Sequence, residues 1–151
     1  MRVAVRSDDL GVPRPLSSRR ASGPAGADRG RNRTLIGRRA ELAVIDYLFV
    51  RGFVILAANM RLGYLELDVV ARRGPLAVVV EVRTRGTTAY EKSLASLNGL
   101  KRMRILHAAD RLWRKNLSKI PSIERFRIDV AAVTFEGPAT YVEYIEGAIT
   151  A

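Results

Sequence analysis

A chain of 151 residues with 48% hydrophobic content carries enough apolar material for one core and too little length for a second full domain. Its net charge of +11 and pI of about 11.0 favour a polyanionic partner, nucleic acid ahead of a membrane surface. Cysteine and glycine-rich Walker loops are both absent, which removes disulfides, thiolate chemistry and cysteine-ligated metal sites and argues against an ATPase or GTPase.

Residues 1–34 are rich in Arg, Ser, Gly, Pro and Asp without a sustained apolar period, and they read as a disordered tail. Eight arginines against Asp8, Asp9 and Asp28 leave that stretch at plus five, sufficient for weak polyanion contact. No apolar run is long enough to cross a bilayer and no hydrophobic secretory core opens the chain, so the expected location is cytoplasmic.

Residues 35–151 read as the ordered domain. Arg38 to Val50 is dense in helix formers, is stopped by Gly52, and has apolar residues around most of its circumference, which predicts a well-buried helix. Glu41, near its start, serves either the helix dipole or a site. Phe53–Ala57, Tyr64–Arg72 and Leu76–Arg85 follow as strands.

The third of these strands carries a glutamate inside a β-branched run, Val78-Val79-Val80-Glu81-Val82-Arg83. A carboxylate stripped of water costs several kcal/mol unless it is protonated or meets a cation, so Glu81 calls for a partner such as Arg83, Arg85 or a metal. Strand alternation puts Glu81, Arg83 and Arg85 on one face and Val78, Val80 and Val82 on the other. The same parity sets Glu66 and Asp68 together, opposite Leu65, Leu67 and Val69. With Arg73-Gly74 as a two-residue hairpin loop, Glu66 falls opposite Glu81 and all three carboxylates converge. Such a cluster suits Mg²⁺ or Mn²⁺ and phosphoryl chemistry, whereas either motif alone is commonly a solvated face or a simple ion pair.

A helical stretch from Ser93 to Asn116, broken near Asn98-Gly99, comes next. Its apolar side is Ile105, Leu106, Ala109, Leu112 and Trp113, beside a basic stripe of Lys101, Arg104, Arg111 and Lys115 suited to solvent or a phosphate backbone. His107, the only histidine, reads as a packing or surface residue. Phe126–Phe135 is a strand in which Asp129 is expected to be structural, as an ion-pair partner of Arg127 or another basic residue, and Tyr141–Ile145 is a last strand or edge. The order α-β-β-β-α-β, with an extra strand, predicts a mixed three-layer α/β domain.

From Gly37 to Phe135 the chain resembles the YraN-like family of small bacterial proteins. The matching pieces are Gly37-Arg38-Arg39-Ala40-Glu41, Leu65-Glu66-Leu67-Asp68, Val80-Glu81-Val82-Arg83-Thr84-Arg85, Lys101 and Arg127-Ile128-Asp129. That resemblance implies a PD-(D/E)XK restriction-endonuclease-like fold akin to archaeal Holliday junction resolvases. It makes Asp68 and Glu81 the metal ligands for Mg²⁺ or Mn²⁺, with Glu41 as a third acidic residue of the catalytic set. The chain departs from the family pattern at Leu65, Ala40 and Arg83. The last stands where the family has a lysine thought to orient or activate the attacking water. Arginine keeps the charge but cannot release its proton at accessible pH.

Two nucleic-acid functions are therefore expected, ahead of a third reading in which the basic surface meets an acidic protein partner. One is a Mg²⁺-dependent endonuclease acting on branched DNA, with Glu41, Asp68, Glu81 and Arg83 as catalytic residues and Arg83, Arg85, Lys101 and Arg104 on the nucleic acid. The other is a non-catalytic nucleic-acid-binding module of the same fold. Symmetric resolvases suggest a homodimer by analogy only, since no dimer surface is legible.

Overall fold

The computed structural model describes residues 2–5, 25–85 and 99–150, with side chains described for 34–84 and 99–150. Six strands form one sheet in the order β1-β6-β5-β4-β3-β2: β1 Arg2–Val5, β2 Val54–Leu62, β3 Leu65–Arg73, β4 Leu76–Arg85, β5 Arg125–Glu136 and β6 Ala139–Ile149. Helix α1, Ala25–Val50, covers one face, and helix α2, Gly99–Lys115, followed by a 3₁₀ turn at Leu117–Lys119, covers the other. β4 and β5 run parallel, joined through α2, and every other adjacent pair is antiparallel. The mixed three-layer α/β domain expected from the element order is present.

Alternation along β4 and β5 supplies both cores. Ala77, Val79, Ile128 and Val130 pack with Ile105, Ala108, Ala109 and Leu112 of α2, while Val78, Val80, Ala131 and Val133 pack with Ala40, Val44, Tyr47 and Leu48 of α1. Trp113 joins the first layer by stacking on Phe126 at 5.3 Å between ring centroids.

Three local expectations change. First, β1 and residues 25–34 of α1 lie within the stretch read as a tail; 6–24 lie outside the described residues. β1 pairs with the edge of β6, and once a helix is nucleated each further residue adds a hydrogen bond. Second, α1 is buried on one side only. Leu35, Leu42 and Phe49, spaced by seven, are 57%, 60% and 68% exposed, because the sheet reaches only the stripe of Ala40, Val44, Tyr47 and Leu48. Third, the edge strand β2, read as ending at Ala57, runs to Leu62, with a register shift between Ile55 and Ala57 and with Asn59 at φ 51°.

The β3–β4 hairpin also differs. Arg73 pairs with Leu76, so the loop is Gly74-Pro75, with Gly74 at φ 57°, and not Arg73-Gly74. The paired positions shift by two, which preserves the faces but changes the partners. Residues 86–98, which include the first part of the helical stretch predicted from Ser93, lie outside the described residues. Among the described residues no helix is long and apolar enough to cross a membrane.

Candidate functional site

The β3–β4 ladder ends at Val69 opposite Val80. Beyond it, the Asp68 side chain takes the place of a main-chain acceptor: its Oδ2 accepts a 2.7 Å hydrogen bond from the Val82 amide. The sheet forks there. Strict alternation also stops, since Leu65 and Leu67 belong to the α2 core whereas Val69 belongs to the α1 core. A strand that has lost one neighbour is free to twist, and Asp68 lies at the change of face.

Glu81 lies next to the fork, only 5% exposed. Arg83 Nε approaches its Oε1 at 3.4 Å, and Lys101 Nζ, carried in by the first turn of α2, comes closer still. These are ion pairs at close range without the angles of directed hydrogen bonds, so Glu81 Oε1 and Arg83 Nε and Nη2 are buried with no hydrogen-bond partner. An arginine in that state keeps donors for an incoming acceptor.

Asp68, Glu81, Arg83, Lys101 and Arg104 line one open cleft of about 570 Å³, together with Tyr64, Leu65, Glu66, Leu100 and Ile105. Burial and the negative charge of Glu81 push the Asp68 carboxyl up to about 7; the Val82 amide and the Lys101 ammonium pull the other way. Glu41 adds a smaller upward push. Its own Oε2 accepts from Asn59 Nδ2 at 2.8 Å, and it lines a second cleft with Arg38, Arg61 and Glu66.

The predicted residues thus divide. Asp68 and Glu81 come together with Arg83, Lys101 and Arg104, whereas Glu41 stands in the neighbouring cleft and the Arg85 side chain lies outside the described residues. Glu66 does not fall opposite Glu81: the hairpin register, continued past its last pair at Val69 and Val80, would set Asp68 level with Glu81, and Glu66 is exposed opposite Arg61. Glu66 lines the rim of the same cleft, but the expected close convergence of three carboxylates reduces to the Asp68–Glu81 pair. Among the described residues no group of three or more His, Cys, Asp or Glu is placed to enclose a metal. Two carboxylates still fit Mg²⁺ or Mn²⁺, which keep waters and take phosphate oxygens at their other positions. The mutual repulsion that raises Asp68 is what a cation would relieve.

Lys101 was legible as part of a basic stripe, but its contact with Glu81 was not, because no local pattern connects a helix to a strand twenty residues away. Asp129 follows the structural expectation. Fully buried, it accepts from Arg127 Nε at 2.7 Å and Nη2 at 2.9 Å, from the Tyr144 hydroxyl at 2.7 Å and from the Gly147 amide at 2.7 Å. Burial and the neighbouring Asp129 charge push the Tyr144 phenol upward, so it remains a donor.

Fold and site together define a small α/β domain organised around one carboxylate-bearing fork in its sheet. Residues 40–133 match the uncharacterised protein family UPF0102, and the chain belongs to that family, the YraN-like group it resembles. A UPF0102 protein of Sorangium cellulosum is 47% identical over 134 residues, covering 87% of this chain and 92% of that protein. Another, from Anaeromyxobacter dehalogenans, is 36% identical over 127 residues, covering 84% and 92%. A third, from Dictyoglomus turgidum, is 29% identical over 119 residues, covering 78% and 98%.

Proposed function

We propose that this chain is a nucleic-acid-binding protein of restriction-endonuclease-like fold that hydrolyses phosphodiesters in branched DNA with Mg²⁺ or Mn²⁺ at Asp68 and Glu81. The observation that carries this reading is the single cleft in which those two carboxylates meet Arg83, Lys101 and Arg104. Carboxylates alone would repel a phosphate chain, and cations alone would merely hold one.

Asp68 and Glu81 would hold the metal, which when bound supplies Lewis-acid polarisation of a phosphate oxygen and a water of lowered pKa. Arg83 keeps buried donors without protein acceptors, suited to the charge that develops on a phosphate in the transition state. Lys101 stands against Glu81 from the helix, beside the strand position where the resemblance places a lysine and this chain has Arg83, and unlike arginine it can exchange a proton. It is the better candidate to orient the attacking water. Arg104 lines the cleft wall at a position fit for a backbone phosphate.

One observation favours the non-catalytic alternative. Glu81 is already ion-paired to two cations, which offset its charge without a metal. Cleavage of labelled duplex, single-stranded and four-way-junction DNA with Mg²⁺ or Mn²⁺ separates the readings. The nuclease reading predicts metal-dependent cutting that falls by on the order of 10²-fold or more in Glu81→Ala, the scale of losing one preorganised electrostatic group. Salt-sensitive binding without cutting supports the binding module, and absence of binding overturns both.

A further inference from the structure

We infer that Tyr64 is a stacking platform for an unpaired nucleobase of a strand lying across the Asp68–Glu81 cleft, so that the site takes single-stranded, frayed or branch-point nucleic acid in preference to intact duplex. The inference rests on the nucleic-acid reading above and adds the side chain that would read an unpaired base.

Tyr64 follows Gly63, which takes φ 70° at the tip of the β2–β3 hairpin, and the turn holds its side chain out from the sheet. It is 87% exposed, the highest value among the exposed large hydrophobic side chains of the described residues, yet it lines the same cleft as Asp68 and Glu81. Leu100, 74% exposed at the start of α2, lines that cleft as well. Neither side chain contributes to a core. Both leave apolar surface open to water beside the carboxylates.

Cations surround this apolar pair. Lys101 and Arg104 line the cleft, and a Cβ built on Gly63 would lie 3.5 Å from Arg111 Nη1, which places a third positive group at the hairpin tip. Exposed rings without charge would suit an apolar partner, and cations without a ring would suit any phosphate chain. Their combination suits a strand whose phosphates meet Lys101, Arg104 and Arg111 while one base lies on the ring. A base inside an intact duplex already has both faces stacked on its neighbours, so only an unpaired, terminal or displaced base has a face to offer Tyr64. Charge and carboxylates cannot discriminate paired from unpaired strands here. The exposed ring can.

The test compares wild type, Tyr64→Ala and Tyr64→Phe by fluorescence anisotropy in EDTA. The probes are a labelled single-stranded oligonucleotide carrying 2-aminopurine and a blunt duplex of the same sequence. Tyr64→Ala is expected to weaken single-strand binding about tenfold, the scale of one base–aromatic stack, and to abolish 2-aminopurine quenching. Tyr64→Phe should retain both. Duplex affinity and the dependence of log affinity on log salt should stay unchanged, since no phosphate contact is lost. Single-strand binding unaffected by Tyr64→Ala, or weakened equally on duplex, overturns the stacking role while leaving the nucleic-acid reading intact. Failure of the wild type to bind either probe overturns both.

Discussion

At the scale of residues, Asp68 ties structure to pH. Unfolded, its carboxyl ionises near the ordinary 3.8; folded and metal-free, it holds its proton up to about 7 because burial and Glu81 disfavour the charge. Between those values the folded state binds more protons than the unfolded one, so this group's stabilising contribution is complete below the unfolded value and is lost as pH rises through about 7. Asp68→Asn, which keeps an oxygen for the Val82 amide, should flatten that slope. Thermal unfolding in EDTA should show wild type losing Tm relative to the variant between about pH 4 and about pH 7. Parallel curves would contradict the assignment. The sharing of a face by Glu81 and Arg83 was legible from alternation, but the partner opposite Glu81 was not: moving the loop by one residue on each side exchanges Glu66 for Asp68 without changing parity.

Elements were legible wherever apolar periodicity was long, as in β4, β5 and the buried side of α2. Their ends were less so. The segment Ala25–Arg33 carries Gly26 and Gly30, poor helix formers, and joins α1 only as an extension of a helix nucleated further along. Apolar density around α1 suggested burial on every side, yet one helix can meet a sheet along only one stripe, and Leu42 and Phe49 are left facing outward. The hairpin that sets the site depends on Gly74 at φ 57°, where a side chain would meet no atom within 4 Å. The cost of Gly74→Ala is therefore purely conformational, and urea denaturation should show about 1–2 kcal/mol of lost stability. A variant as stable as wild type would show that the turn does not depend on the left-handed backbone.

For the molecule as a whole, the sheet decides where function sits. β3 and β4 separate beyond Val69 and Val80, α2 crosses above, and the fork gathers two carboxylates from the strands and cations from both layers. The net charge of +11 was legible at once, whereas the ion pair between Lys101 and Glu81 depends on tertiary packing that no local pattern encodes. The central claim is that Asp68 and Glu81 form a divalent-metal centre. Its most direct test is titration of metal-free protein with Mn²⁺, followed through loss of the free-ion paramagnetic resonance signal, in wild type, Asp68→Asn and Glu81→Gln. Binding to wild type that Mg²⁺ displaces, and that both substitutions abolish, is the predicted result; no binding to wild type, or equal binding by all three proteins, would contradict it.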